Sequence, residues 1–215
     1  MRAFPTARYP DGGAYSAGAR ANRLCNRESG EWYYHRRMAL LAEEIVEEWL
    51  NRQGYFTIRG VKVGVHEIDL LAIRYGAAGL ECRHIEVQAS VNPISYLTQV
   101  SKAVREATGR AGANAKLREE QDLRQGVREW IEKKYDHARK REVRDSLAPG
   151  PWSKELVVHR LKYEVERKMV EEAGIKVWDL SDVIADLKRG GMRLQGAAGA
   201  HLVELVVLTA ASVTK

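Results

Sequence analysis

The chain has 215 residues, 45% hydrophobic and 30% charged, which suffices for one well-buried core and is short for two ordinary domains. A formal charge of +6 and a pI of about 9.3 favour polyanionic partners such as nucleic acid over acidic ones. Cys25 and Cys82 lie far apart with no CxxC or histidine spacing, which argues against a disulfide framework or a structural zinc site and fits a reducing, cytoplasmic setting.

Residues 1–35 are rich in Gly, Ala and Arg without a sustained period and read as a basic N-terminal arm, expected to be flexible. The start has no apolar signal-peptide region. The longest apolar run, "HLVELVVLTAASV", is broken by Glu204 and falls short of the roughly 20 residues a membrane span needs. Neither secretion nor membrane insertion is expected. From residue 36 onward, Met38, Leu41, Ile45 and Trp49 recur at helical spacing, and Gly54 supplies the stop. Three strands follow, "YFTIRG", "VHEIDLLAIR" and "ECRHIEVQAS", with a Gly-bearing turn between the second and third. Pro93 ends the third strand and "TQVSKAVREATGR" resumes a helix. Residues 113–147 are charged and helical in propensity, with a thin apolar stripe through Leu123, Val127, Trp130 and Ile131, and read as an inserted helical arm. After "APGPW" come strand "KELVVHRL", helix "YEVERKMVEEAG", strand "IKVWDL" and helix "SDVIADLKRG", the lengths of a parallel crossover.

The chemistry concentrates in "HIEVQAS". A hairpin centred between Ala77 and Ala78 sets Asp69 opposite Glu86 and Glu67 opposite Gln88. Side chains so paired have Cβ atoms about 4.5–5.5 Å apart, and like charges there repel. Alternation puts Asp69 on the same strand face as Leu71 and Ile73, so plain solvation does not relieve the pair. A shared proton, an intervening Lys or Arg, or a bound cation does. One or two carboxylates with positions left for water and phosphate suit Mg²⁺, and such a site can activate water against a phosphodiester. Gln88, able both to donate and to accept, can orient that water or a non-bridging oxygen.

The helix with paired acids, "GYF", "EIDLLAIR", the short turn and "HIEVQAS" together resemble the core of the PD-(D/E)XK nuclease superfamily over residues 36–110. The resemblance implies a mixed central sheet flanked by helices in αβββαβ order. It implies that Asp69 and Glu86 hold Mg²⁺, or Mn²⁺ as a substitute, with the Val87 carbonyl as a further ligand. Gln88 stands where the family's usual Lys would be, a departure that some restriction enzymes of the superfamily share. The family's first-helix acid corresponds to Glu43 or Glu44, and the sequence does not choose between them. Residues 36–215 would then be one nuclease-like domain.

DNA affinity rests mainly on phosphate neutralisation. The expected contacts are Arg36 and Arg37 at the first helix, Arg59 and Lys62 near the strands, and Lys133, Lys134, Arg139, Lys140 and Arg141 on the inserted arm, where Trp130 and Tyr135 are placed to stack on bases. The expectation is a Mg²⁺-dependent DNA endonuclease that hydrolyses phosphodiesters and, by resemblance, leaves a 5′-phosphate. A homodimer is compatible with it, since cutting both strands usually takes two active sites. The alternatives are an inactive nuclease fold serving as a DNA-binding or assembly subunit, and an RNA-directed nuclease.

Overall fold

In the computed structural model the described residues are 38–90, 92–112 and 116–189. The expected basic arm, Arg36 and Arg37, and the C-terminal apolar run lie outside them. The first helix, α1 (helical over 38–52), buries Ala42, Ile45, Val46, Trp49 and Leu50. These are positions i, i+3, i+4, i+7 and i+8, one helical stripe. Gly54, at φ 84°, takes the left-handed conformation that ends the helix, and the Tyr55 N–H donates to the Leu50 carbonyl at 3.1 Å.

Three antiparallel strands follow: β1 (Phe56–Val63), β2 (His66–Gly76) and β3 (Gly79–Gln88). Gly76 pairs with Gly79 and Leu70 with Ile85, so the β2–β3 turn is Ala77-Ala78, the register expected from the sequence. The β1–β2 ladder holds Arg59 opposite Leu70 and Val61 opposite Ile68, which places Gly60, at φ 67°, across from Asp69. Two further strands, β4 (Ser153–Val158) and β5 (Lys176–Asp179), add in parallel to β3, giving a five-stranded mixed sheet in the order β1-β2-β3-β4-β5.

Helices cover both faces of the sheet. On one, α1 and α6 (Leu180–Arg189) bury Leu70, Ala72, Ile85, Val87 and Val157. On the other, α3 (Glu120–Ile131) and α5 (Glu164–Glu172) pack Leu123, Val127, Met169 and Val170 against Leu156 and Val158. A short α2 (Lys102–Thr108) and α4 (Ala138–Leu147) complete the α-helices among the described residues. Residues 116–147, the described part of the expected arm at 113–147, thus form much of the second layer over the sheet. The segment is also not one helix: α3 runs into a π-helical turn (Glu132–Asp136), and His137, at ψ 132°, breaks the chain before α4. Among the described residues no helix is long and apolar enough to cross a membrane.

Candidate active site

Alternation along β3 sends Arg83, Ile85 and Val87 to the α1 face and His84 and Glu86 to the α3–α4 face, where helices exclude water. Glu86 is 1% exposed. A carboxylate there requires partners, and three side chains provide them. Lys140 Nζ donates to Oε1 at 3.0 Å, His84 Nε2 lies 3.1 Å from the same oxygen, and Lys134 Nζ donates to Oε2 at 2.5 Å. The Arg144 guanidinium donates to His84 Nδ1 at 2.7 Å, so the ring proton sits on Nε2 and points at Glu86. Burial, with Arg144 and Lys140 alongside, holds the His84 pKa well below its ordinary value, which keeps the ring in that neutral form. Burial also lowers the Lys140 pKa against the pull of Glu86. On Lys134 burial acts the same way, but Glu86 and Asp69 outweigh it and the ammonium is held above its usual range. Lys140 additionally donates to the Lys134 carbonyl at 2.8 Å, which ties α4 to the π turn.

Asp69 lies one residue beyond Leu70–Ile85, the last pair of the β2–β3 ladder, and its carboxyl interacts with that of Glu86. Its Oδ2 accepts the Val87 N–H at 2.8 Å, a backbone group of the adjoining strand. Burial and the neighbouring Glu86 push the Asp69 carboxyl up to about 6. On α1, Glu43 is pushed up to about 7 by burial, then by Asp69, with Glu67 and Glu86 adding to it. Glu44 turns elsewhere, 3.3 Å from Arg59, which also meets Glu47 at 3.4 Å. Of the two first-helix acids left open by the sequence, Glu43 is the one that shares the field of Asp69 and Glu86.

The other expected residues divide. Gln88, half-buried at the end of β3, lines a cleft with Lys134 and Lys133. Lys62, Lys133, Arg139 and Arg141 are exposed, as surface cations should be. Lys140 is not: at 1% exposure and bonded to Glu86 it has no phosphate to meet. Arg59 is already neutralised by Glu44 and Glu47. Tyr135, expected to stack on bases, is fully buried, its hydroxyl donating to the Glu155 carbonyl at 2.7 Å and its ring 4.8 Å from His84. Lys134 bonds Glu86 while its side chain stays 33% exposed.

Sequence reasoning missed this cationic clamp for a physical reason. Lys134 and Lys140 are six residues apart, a spacing that places side chains on different sides of a regular α-helix. The π turn and the break at His137 bring both to one carboxylate. The legible part was Lys140 with Arg144, an i, i+4 pair on one face of α4.

Whether a divalent cation fits can be judged from the donors. Among the described residues no three His, Cys, Asp or Glu side chains are arranged to hold a metal ion. Asp69 and Glu86 are two carboxylates facing one another, and a hard cation that retains several waters is bound by as few as one or two carboxylates. The upward shifts of Asp69 and Glu43 come first from burial and then from neighbouring carboxylates, and a cation would oppose both. Asp69 and Glu86 are the carboxylates such a cation would have, and Lys134 and Lys140 already occupy both oxygens of Glu86.

No protein-family model matches the chain, and no curated protein matches it. A crystallised protein of unknown function is similar at 15% identity over 66% of this chain and 58% of that one, with a TM-score of 0.36, a likeness too slight to bear on function.

Proposed function

We propose that the protein is a Mg²⁺-dependent endonuclease of the PD-(D/E)XK type acting on DNA. The observation that carries this reading is the buried carboxylate of Glu86, set next to Asp69 and held by Lys134 and Lys140 beside a cation-lined cleft. Asp69 and Glu86 would hold the cation, which supplies polarisation of the phosphodiester and an acidified water. His84, with Arg144 behind it, fixes the rotamer of Glu86. Lys134, on the cleft wall, offers an ammonium to the charge that builds on the phosphate, a task for which position 88 has only a neutral Gln. Gln88 orients water or a non-bridging oxygen, and Glu43, raised to about 7, is placed to accept or release a proton near neutral pH.

One observation favours a second reading. Both oxygens of Glu86 already have ammonium partners that compete with a metal for them, which favours an inactive nuclease fold serving as a DNA-binding subunit. Cleavage of plasmid, linear duplex, branched junction, single strand and RNA with Mg²⁺, Mn²⁺ or EDTA separates the readings, with Glu86→Gln as the control. Metal-dependent cutting that the variant abolishes is the expected result, and the preferred substrate decides between DNA and RNA. No cutting on any substrate, with salt-sensitive DNA binding retained, would establish the binding subunit instead.

A further inference from the structure

Beside Glu86, a cleft of about 810 Å³ runs from Gln88 and Lys134 along α2 and α3. Its volume lies in the range that encloses a single small ligand, about 300–1,000 Å³. That is room for an unstacked nucleotide and not for a base-paired helix. Its lining includes five Lys or Arg residues and two Glu, so its field favours an anion. One of the two acids, Glu129, is tied down by the Lys102 backbone N–H at 3.0 Å and by the Gln125 amide at 3.1 Å. Several of the cations are uncommitted. Arg128 and Lys133 are exposed and make no ion pair among the described residues, and Arg105 Nε is buried with no hydrogen-bond partner there. Trp130 also lines the cleft, held edge-on against Tyr135 at 5.6 Å and 72°. An aromatic ring braced within a basic groove is the arrangement that holds unpaired strands, by base stacking and phosphate contact together.

We propose that this cleft takes one unpaired nucleotide of the substrate strand. Its base stacks on Trp130 and its flanking phosphates meet Arg105, Arg128 and Lys133, so the protein selects single-stranded or locally unpaired nucleic acid over intact duplex. The inference rests on the nuclease reading for the place of the scissile bond beside Lys134 and Glu86, and is independent of it for binding.

The test is fluorescence anisotropy of the full chain in EDTA with a short labelled DNA strand, the same strand as duplex, and the same sequence as RNA. The single strand should bind at least about tenfold more tightly than the duplex. The double variant R128E/K133E, altered only at exposed positions, should lose that preference, and Trp130→Ala should lose about tenfold or more on the single strand. Equal or tighter binding of duplex, or single-strand affinity unchanged in R128E/K133E, would overturn the proposal. Tighter binding of the RNA strand would support the cleft and make its ligand RNA. A chain that binds single strands through these residues and cuts nothing sinks the nuclease reading alone. Duplex cleavage that R128E/K133E does not slow, with no single-strand preference, sinks the cleft alone.

Discussion

Asp69 pays for its position in a way that can be measured. In the unfolded chain its carboxyl ionises near 3.8, whereas in the fold burial and Glu86 raise it to about 6. Between those values the folded state binds more protons than the unfolded one, so this group makes stability fall as pH rises from about 4 towards 7. Asn at this position keeps an oxygen for the Val87 N–H and carries no charge. In metal-free buffer Asp69→Asn should therefore be more stable than wild type at pH 8, and the advantage should shrink to about half by pH 5 and vanish only below about 3.8, as read by urea unfolding at each pH. His84 works in the opposite sense: its pKa is depressed, so its contribution is present above about 6.5 and is lost as pH falls. Asp69 opposes that depression, so the variant also deepens it, and the comparison at pH 8, where His84 is neutral in both proteins, reads Asp69 alone. On the partner side, Lys140→Met removes one of the ammonium groups on buried Glu86. Breaking a buried pair costs about 3–5 kcal/mol, and because Lys134 and His84 remain, the lower end, about 3 kcal/mol, is expected in a chemical denaturation curve.

At the scale of elements, the hairpin that faces Asp69 to Glu86 was legible because strand periodicity is fixed at two residues and the Gly-Ala-Ala-Gly turn sets the sum of paired numbers. The helical layer over it was not. A charged stretch with a thin apolar stripe reads as solvated, and nothing local announces that Tyr135, Lys140 and Arg144 are buried against one carboxylate and its neighbours. Glu166 shows the same limit. It reads as an ordinary helix acid, yet it is buried and accepts from the Leu97 and Thr98 N–H groups and the Thr98 hydroxyl, fixing the loop that borders the cleft. The seating of α3 on that loop depends on Gly126, where an added Cβ would lie 2.9 Å from the Gln99 carbonyl oxygen and 3.0 Å from Thr98 Oγ1. Helix propensity alone favours Ala over Gly by up to about 1 kcal/mol, but contact with backbone cannot be relieved by a rotamer change. Gly126→Ala should be net destabilising by about 1–3 kcal/mol and should weaken single-strand binding by displacing Gln99 and Trp130. A variant more stable than wild type in thermal unfolding would show that α3 shifts freely.

Across the whole molecule the charge of +6 says that a polyanion is attracted, but not which cations touch it. The ion pairs decide that. Arg59 meets Glu44 and Glu47, Arg74 meets Glu81, and Arg124 meets Glu120 and Glu172, so each is already neutralised locally. Lys133 is exposed on the cleft wall with no such partner among the described residues. Every phosphate neutralised releases condensed counterion, and for a single strand the slope of log K against log salt changes by about 0.7 per contact. Lys133→Ala should accordingly make the salt dependence of single-strand binding shallower by about 0.7, while Arg59→Ala should leave the slope where it was. Both slopes come from anisotropy titrations at a series of salt concentrations in EDTA. If Arg59→Ala flattens the slope and Lys133→Ala does not, the strand runs along β1 and α1 rather than through the cleft, and the basic charge acts from the opposite side of Glu86.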